Sequence, residues 1–173
     1  MELIKLLDKK ISHVGCVNEH MLKIAVISDI HGNADCLGIC LKDISSLNVD
    51  ILICLGDILT YGTQPNEVIE QLINYQKKGK LIMIKGNHEE FYFSSSKGTM
   101  ASYKIPPFVI ESINWTKDNL KFNNLDKIFQ WQEKFILKDI YFAHANPFEY
   151  GDWSYIETEE NFFKATKYLD ENK

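Results

Sequence analysis

An unbroken apolar run, Ile51 to Leu55, stops at Gly56 and Asp57, and glycine returns at Gly62. Five apolar residues in succession read as a strand covered on both faces, the habit of parallel strands in α/β folds. In such sheets the reactive groups lie just beyond the carboxyl ends of the strands, and Asp57 stands at such an end. Taken alone, Asp57 reads equally well as a turn or capping aspartate. Its neighbours decide the matter. The run Ile24 to Ile27 passes into Ser28-Asp29-Ile30-His31-Gly32-Asn33, and Leu81 to Ile84 passes through Lys85 into Gly86-Asn87-His88-Glu89. A fourth run, Ile140 to Ala143, ends in His144. Four strand-like runs each finish in residues of the metal-ligand type, which chance rarely arranges.

Between these runs the periodicity turns helical. Asn33 can cap a helix whose apolar positions Leu37, Cys40, Leu41 and Ile44 share one face. Pro65 suits a first helical position, Glu67 favours the positive helix end, and Val68, Ile69, Leu72 and Ile73 form a stripe closed by Lys77, Lys78 and Gly79. Strand, helix, strand is a parallel crossover unit, so the fold class is α/β with the first three strands parallel. Ser94 to Gly98 reads as a surface loop, and Pro106-Pro107 precedes a helix through Trp115 and Leu120. A second helical stretch carries Leu125, Ile128 and Phe129. Phe135 to Leu137 and Ile140 to Ala143, split by Lys138-Asp139, predict a tight hairpin. Thr158 then caps a last helix with Phe162, Ala165, Thr166 and Leu169 on one face.

With 173 residues the chain is sized for one domain that buries roughly 70% of its unfolded surface. Residues 1–20, which include His13 and His20, are expected to be an appendage, an exposed helix or a leader ahead of Met21, and residues 21–173 the domain. A net charge of -5 gives no electrostatic case for a nucleic-acid backbone as partner. Cys16, Cys36, Cys40 and Cys54 form no Cys-x-x-Cys pair and read as free thiols. No apolar run reaches the 18 or so residues of a membrane span, and no signal-peptide core is present, so a cytoplasmic location is the default expectation.

The strand-end residues define a chemistry. Asp29 and His31, two apart, can turn an oxygen and a nitrogen toward one point, and Asp57, having two oxygens, can bridge two cations. Asn87 adds a carbonyl oxygen and His144 an imidazole. Oxygen and nitrogen donors without thiolate suit Mn, Fe, Zn or Ni, and one bridging carboxylate suits two ions roughly 3.5 to 4 Å apart. Such a pair turns bound water into hydroxide at neutral pH and neutralises charge on a phosphoryl group. His88 follows Asn87 and can face the substrate, with Glu89 or another carboxylate orienting its ring.

Asp29-x-His31, Gly56-Asp57-x-x-x-Tyr61-Gly62, Gly86-Asn87-His88-Glu89 and His144, in that order and each at a strand end, resemble the first four motifs of the calcineurin-like metallophosphoesterase superfamily. The resemblance runs from about Met21 to Tyr150 and is nearest to the small bacterial phosphoesterases. It implies that Asp29, His31 and Asp57 hold one divalent metal ion, that Asp57, Asn87 and His144 hold the second, and that His88 is the catalytic acid. It also implies two packed sheets flanked by helices, and manganese as the favoured metal. The implied function is hydrolysis of a phosphodiester or small phosphomonoester by attack of a metal-bound hydroxide.

Two departures qualify this. Tyr61 stands where the protein phosphatases of the superfamily carry a phosphate-gripping arginine, which turns the expected substrate toward small phosphorylated molecules, nucleotides among them, and away from phosphoproteins. The superfamily's closing Gly-His-x-His motif has no counterpart, since no histidine follows His144. The domain is therefore expected to be truncated at its C-terminus. Carboxylates such as Asp152 and Glu157 remain, with nothing placing them at the site. A degenerate, non-catalytic binding or regulatory module on the same fold is the alternative reading. The aromatics Phe148, Tyr150 and Trp153, with the loop Phe91 to Lys104, either stack on a substrate base or pack beneath the loop and over a sheet edge.

Overall fold

The computed structural model of the chain describes residues 21–93 and 104–172. The expected appendage of residues 1–20, Cys16 included, and the loop from Ser94 to Gly98 lie outside the described residues. The centre is a parallel sheet of β1 (Ile24–Ile27), β2 (Ile51–Cys54), β3 (Leu81–Ile84) and β4 (Trp131–Gln132), in the order β1-β2-β3-β4. Ile24 pairs with Ile51, Leu52 with Leu81, and Met83 with Trp131. The chain is thus α/β, with its first three strands parallel as expected. β4 was not expected, because two residues are too few to carry a periodic pattern.

Helix α1 (Ala34–Ser46) joins β1 to β2, and α2 (Pro65–Lys78) joins β2 to β3. The Asn33 side chain accepts the Cys36 backbone N–H at 3.0 Å, satisfying one of the orphan donors of the first turn of α1. Pro65 opens α2, and Lys77 and Lys78 close it before Gly79. Between β3 and β4 run a 3₁₀ turn (His88–Phe91), α3 (Pro107–Asn119) and a single helical turn, α4 (Leu125–Ile128). The expected hairpin follows as β5 (Phe135–Leu137) and β6 (Ile140–Phe142), antiparallel, and then α5 (Glu159–Glu171), whose Thr158 cap accepts the Asn161 N–H at 3.2 Å.

Alternation of side chains divides the central strands between two cores. Cys54 and Met83 face α1 and α2, packing with Leu37, Val68, Ile69 and Leu72. Ile51, Ile53, Ile82 and Ile84 face the hairpin, against Phe135, Leu137 and Phe142. All four residues of β2 are buried, the physical reason for its unbroken apolar run. Leu22 and Ile24 join that same cluster, whereas Val26 on β1 is 49% exposed. Two expected core positions also lie outside: Cys40 is exposed on α1, and Phe162 is 57% exposed on α5, where Ala165 alone is buried. Among the described residues no helix is long and apolar enough to cross a membrane.

Candidate metal centre

The loops leaving β1 and β2 are stitched together beyond the sheet. Backbone N–H groups of Asp29, His31 and Gly32 donate to the carbonyls of Gly56, Asp57 and Ile58 at 3.1, 3.0 and 2.9 Å, and Gly62 donates to His31 at 2.8 Å. Turning side chains toward one another across these loops forces the backbone into the left-handed region. Asp29 (φ 55°), His31 (47°), Asp57 (53°), Thr60 (76°) and Tyr61 (66°) all lie there. Non-glycine residues cluster in that region chiefly at functional sites. Glycine is required at Gly86, where a Cβ would overlap Asp57 Oδ1.

All three histidines among the described residues converge on Asp57. Its Oδ2 lies 3.9 Å from His31 Nε2, 3.9 Å from His88 Nε2 and 3.5 Å from His144 Nε2. Its Oδ1 accepts the His88 backbone N–H at 2.9 Å. Oδ2 is the oxygen nearest the three imidazoles, while Oδ1 is oriented by that N–H. Asp29, on the exposed rim, brings Oδ1 to 3.7 Å from His31 Nε2. Asn87 Oδ1 is 3.1 Å from His144 Nε2. Donor atoms of His31, Asp57 and His88, and of Asp29, Asp57 and His144, each fall within 4.8 Å of one another. The six residues singled out from the sequence therefore share one site.

The far ring nitrogens sort the histidines. His31 Nδ1 lies 3.0 Å from the Leu59 carbonyl, and His144 Nδ1 lies 2.9 Å from the Leu55 carbonyl. A carbonyl only accepts, so in both rings Nδ1 carries a hydrogen, and Nε2 is the atom that a ring giving up its other proton would offer to a metal. His88 differs. Its Nδ1 lies 3.0 Å from the hydroxyl of Thr60, a group that can donate or accept.

Glu89 does not orient the His88 ring, contrary to the sequence-based expectation. Its fully buried carboxylate accepts the backbone N–H groups of Asp57 at 2.8 Å, Ile58 at 3.0 Å and Gly86 at 2.6 Å. The close approach of the Gly56 and Gly86 backbones points it away from the imidazole. Burial, with the charge of Asp57, pushes its carboxyl upward, and the three N–H donors pull the other way.

Burial would raise the Asp57 carboxyl too, but the hydrogen bond and charge of His144, with the nearby His88, hold it below the ordinary range. Burial works against a charged His144, yet its pairing with Asp57 lifts it to about 9. His88, with burial dominant, is drawn below the usual histidine value. Tyr61 is half-exposed and stacks edgewise on His31, with ring centroids 4.8 Å apart, and lies 5.2 Å from His88.

The aromatics of the 146–153 segment pack. Phe148 meets Tyr168 and lies beneath Lys164, Tyr150 meets Trp153, and the Trp153 ring stands edgewise to His144. Asn146 holds the segment closed by donating to the carbonyls of Asp152 and Ser154 at 2.8 and 3.0 Å. The Asp152 carboxylate is turned inward to Ser154. Sequence reasoning missed Thr60 and Tyr92, whose hydroxyls are 2.7 Å apart beside His88.

A parallel sheet whose strand ends gather carboxylate, carboxamide and imidazole donors is the architecture of metallophosphoesterases. Residues 22–171 match the family model of the calcineurin-like phosphoesterases, and the chain belongs to that family. It is 34% identical over 139 residues to the uncharacterized protein MJ0912 of Methanocaldococcus jannaschii, an alignment covering 77% of this chain and 53% of that protein. The chain thus spans about half the length of the curated relative it matches. The fold is similar to the hypothetical protein PH1004 of Pyrococcus horikoshii, with a TM-score of 0.72 and 19% identity over 87% of this chain and 66% of that one. A metallophosphoesterase of Sphaerobacter thermophilus is similar as well, with a TM-score of 0.58 and 23% identity over 85% of this chain and 56% of its own.

Proposed function

We propose that the chain hydrolyses a phosphodiester or a small phosphomonoester, nucleotides included, with two divalent cations. Asp29, His31 and Asp57 would hold one, Asp57, Asn87 and His144 the other, and manganese suits these oxygen and imidazole donors. Cations bound there supply Lewis acidity to the phosphoryl group and activate water. Asp57 would be shared between the two positions, its carboxylate oriented by the His88 N–H bond to Oδ1. Carbonyls at Nδ1 orient His31 and His144, which would then serve as ligands. His88 keeps a proton for the leaving oxygen, which departs as an alcohol or phenol. The observation that carries this reading is the split among the histidines: two backed by carbonyls, one by a hydroxyl.

A non-catalytic module that binds a phosphate-bearing ligand is the second reading, favoured by the three donors the described residues would offer each cation. Manganese-dependent hydrolysis of bis-p-nitrophenyl phosphate, beside an Asp57→Asn control, separates the two. Turnover that vanishes in the control is expected. Manganese binding by a folded protein with no turnover on diester or monoester would give the site to the second reading.

A further inference from the structure

The hydroxyl behind His88 is itself backed. Thr60 is fully buried, its Oγ1 3.0 Å from His88 Nδ1 and 2.7 Å from the Tyr92 hydroxyl. His88 and Tyr92 are four residues apart across one 3₁₀ turn, so a single loop presents an imidazole and a phenol to the same threonine. Thr60 reaches them from the β2 loop with a left-handed backbone at φ 76°, a conformation a β-branched residue adopts only under constraint.

We infer that Thr60, with Tyr92 behind it, is a positioning residue that aims the His88 ring at the leaving group. This deepens the phosphoesterase reading and rests on it. A carbonyl at Nδ1 fixes one protonation pattern and suits a ligand. A hydroxyl serves the ring in either state. It accepts from an Nδ1–H and turns its own proton toward the Tyr92 oxygen, or it donates to a bare Nδ1 and accepts from the Tyr92 O–H. The aim of Nε2 then survives the gain and loss of a proton during turnover, with no heavy atom moving. The aromatic contacts of the ring, edgewise with His31 and Phe91 and tilted against Tyr61, limit its tilt but supply no hydrogen bond at Nδ1.

The test is leaving-group dependence at fixed pH with manganese, comparing bis-p-nitrophenyl phosphate with diphenyl phosphate. The two share a shape, but phenolate is far more basic than nitrophenolate and needs the acid more. Thr60→Val should lower kcat on diphenyl phosphate at least about tenfold more than on the nitrophenyl diester, with KM little changed. Thr60→Ser should restore both. Tyr92→Phe should show the same bias at about threefold, and carries the comparison if Thr60→Val does not fold. Equal losses on the two substrates, or no rescue by serine, would overturn the inference.

A second readout needs no turnover. In the metal-free protein with ¹⁵N-labelled histidine, the His88 Nδ1 resonance should move on Thr60→Val and return on Thr60→Ser. An unmoved resonance overturns the positioning role. Failure of the parent on both diesters and on p-nitrophenyl phosphate, with that resonance behaving as stated, would sink the phosphoesterase reading alone.

Discussion

The Glu89 carboxylate accepts the backbone N–H of Asp57 at 2.8 Å, so the residue after the expected acid fixes the peptide of the aspartate at the centre of the candidate metal site. It does the same for Ile58 and Gly86, so both of its oxygens are engaged by backbone N–H groups. Glu89→Gln would turn an amide NH₂ against these donors in a fully buried position. The expected cost is about 2–4 kcal/mol in urea denaturation of the metal-free protein. Manganese affinity should drop about tenfold to a hundredfold, as when a residue supporting a ligand is lost. A variant within about 0.5 kcal/mol of the parent would show that these three bonds hold nothing together.

Stability of the metal-free protein should fall as pH rises from the ordinary histidine range through about 9. The sign follows from His144, whose folded value lies above its unfolded one: the folded state binds the extra proton, and that contribution is complete below the unfolded value and lost above about 9. Its size is on the order of 3 kcal/mol. A cation must displace the same proton, so apparent manganese affinity should climb over the same window. Titration of the metal by calorimetry at three pH values reads both the affinity and the protons released. Affinity flat with pH would mean that His144 Nε2 is not a ligand.

Gly86→Ala should fail at the site before it fails in the core. The added methyl would sit on Asp57 Oδ1, while the nearest apolar core of β3 lies on residues that do not change. Circular dichroism should retain the fold and manganese binding should weaken at least about tenfold. Parent-like affinity would show that Asp57 can shift without consequence.

Cys54 should resist thiol reagents until the protein unfolds. Burial in β2 pushes its thiol up to about 12, whereas Cys36 and Cys40 are exposed on α1. In a Cys16→Ser background, Ellman's reagent should titrate Cys36 and Cys40 rapidly and Cys54 only in denaturant. Rapid reaction of Cys54 in native buffer would place β2 nearer to solvent than described.

What the sequence made legible follows from where periodicity and position carry information. The strands of Ile51, Leu81 and Ile24 betray themselves because burial demands apolar side chains in succession, and Asp29, Asp57, Asn87 and His144 are visible because they stop those runs. Thr60 and Tyr92 were not visible, since their contact spans 32 residues and depends on a left-handed peptide that no composition signals. The direction of Glu89 was equally hidden, being set by two glycine backbones brought close from different strands. Val26 reads like its neighbours in β1, yet it stands half in water on the edge strand of the sheet.

The left-handed residues around the site imply a compromise between durability and chemistry. Five non-glycine positions, Asp29, His31, Asp57, Thr60 and Tyr61, hold a conformation costing about 1–3 kcal/mol each, against a net stability of about 5–15 kcal/mol for an ordinary domain. Glycine at the half-exposed Tyr61 would relieve part of that tension, and the ring stacked on His31 would be gone with it. Thr60 offers no such trade: its fully buried hydroxyl ties the strained loop to His88 and Tyr92, so the bonds that the strain makes possible also help to hold it in place.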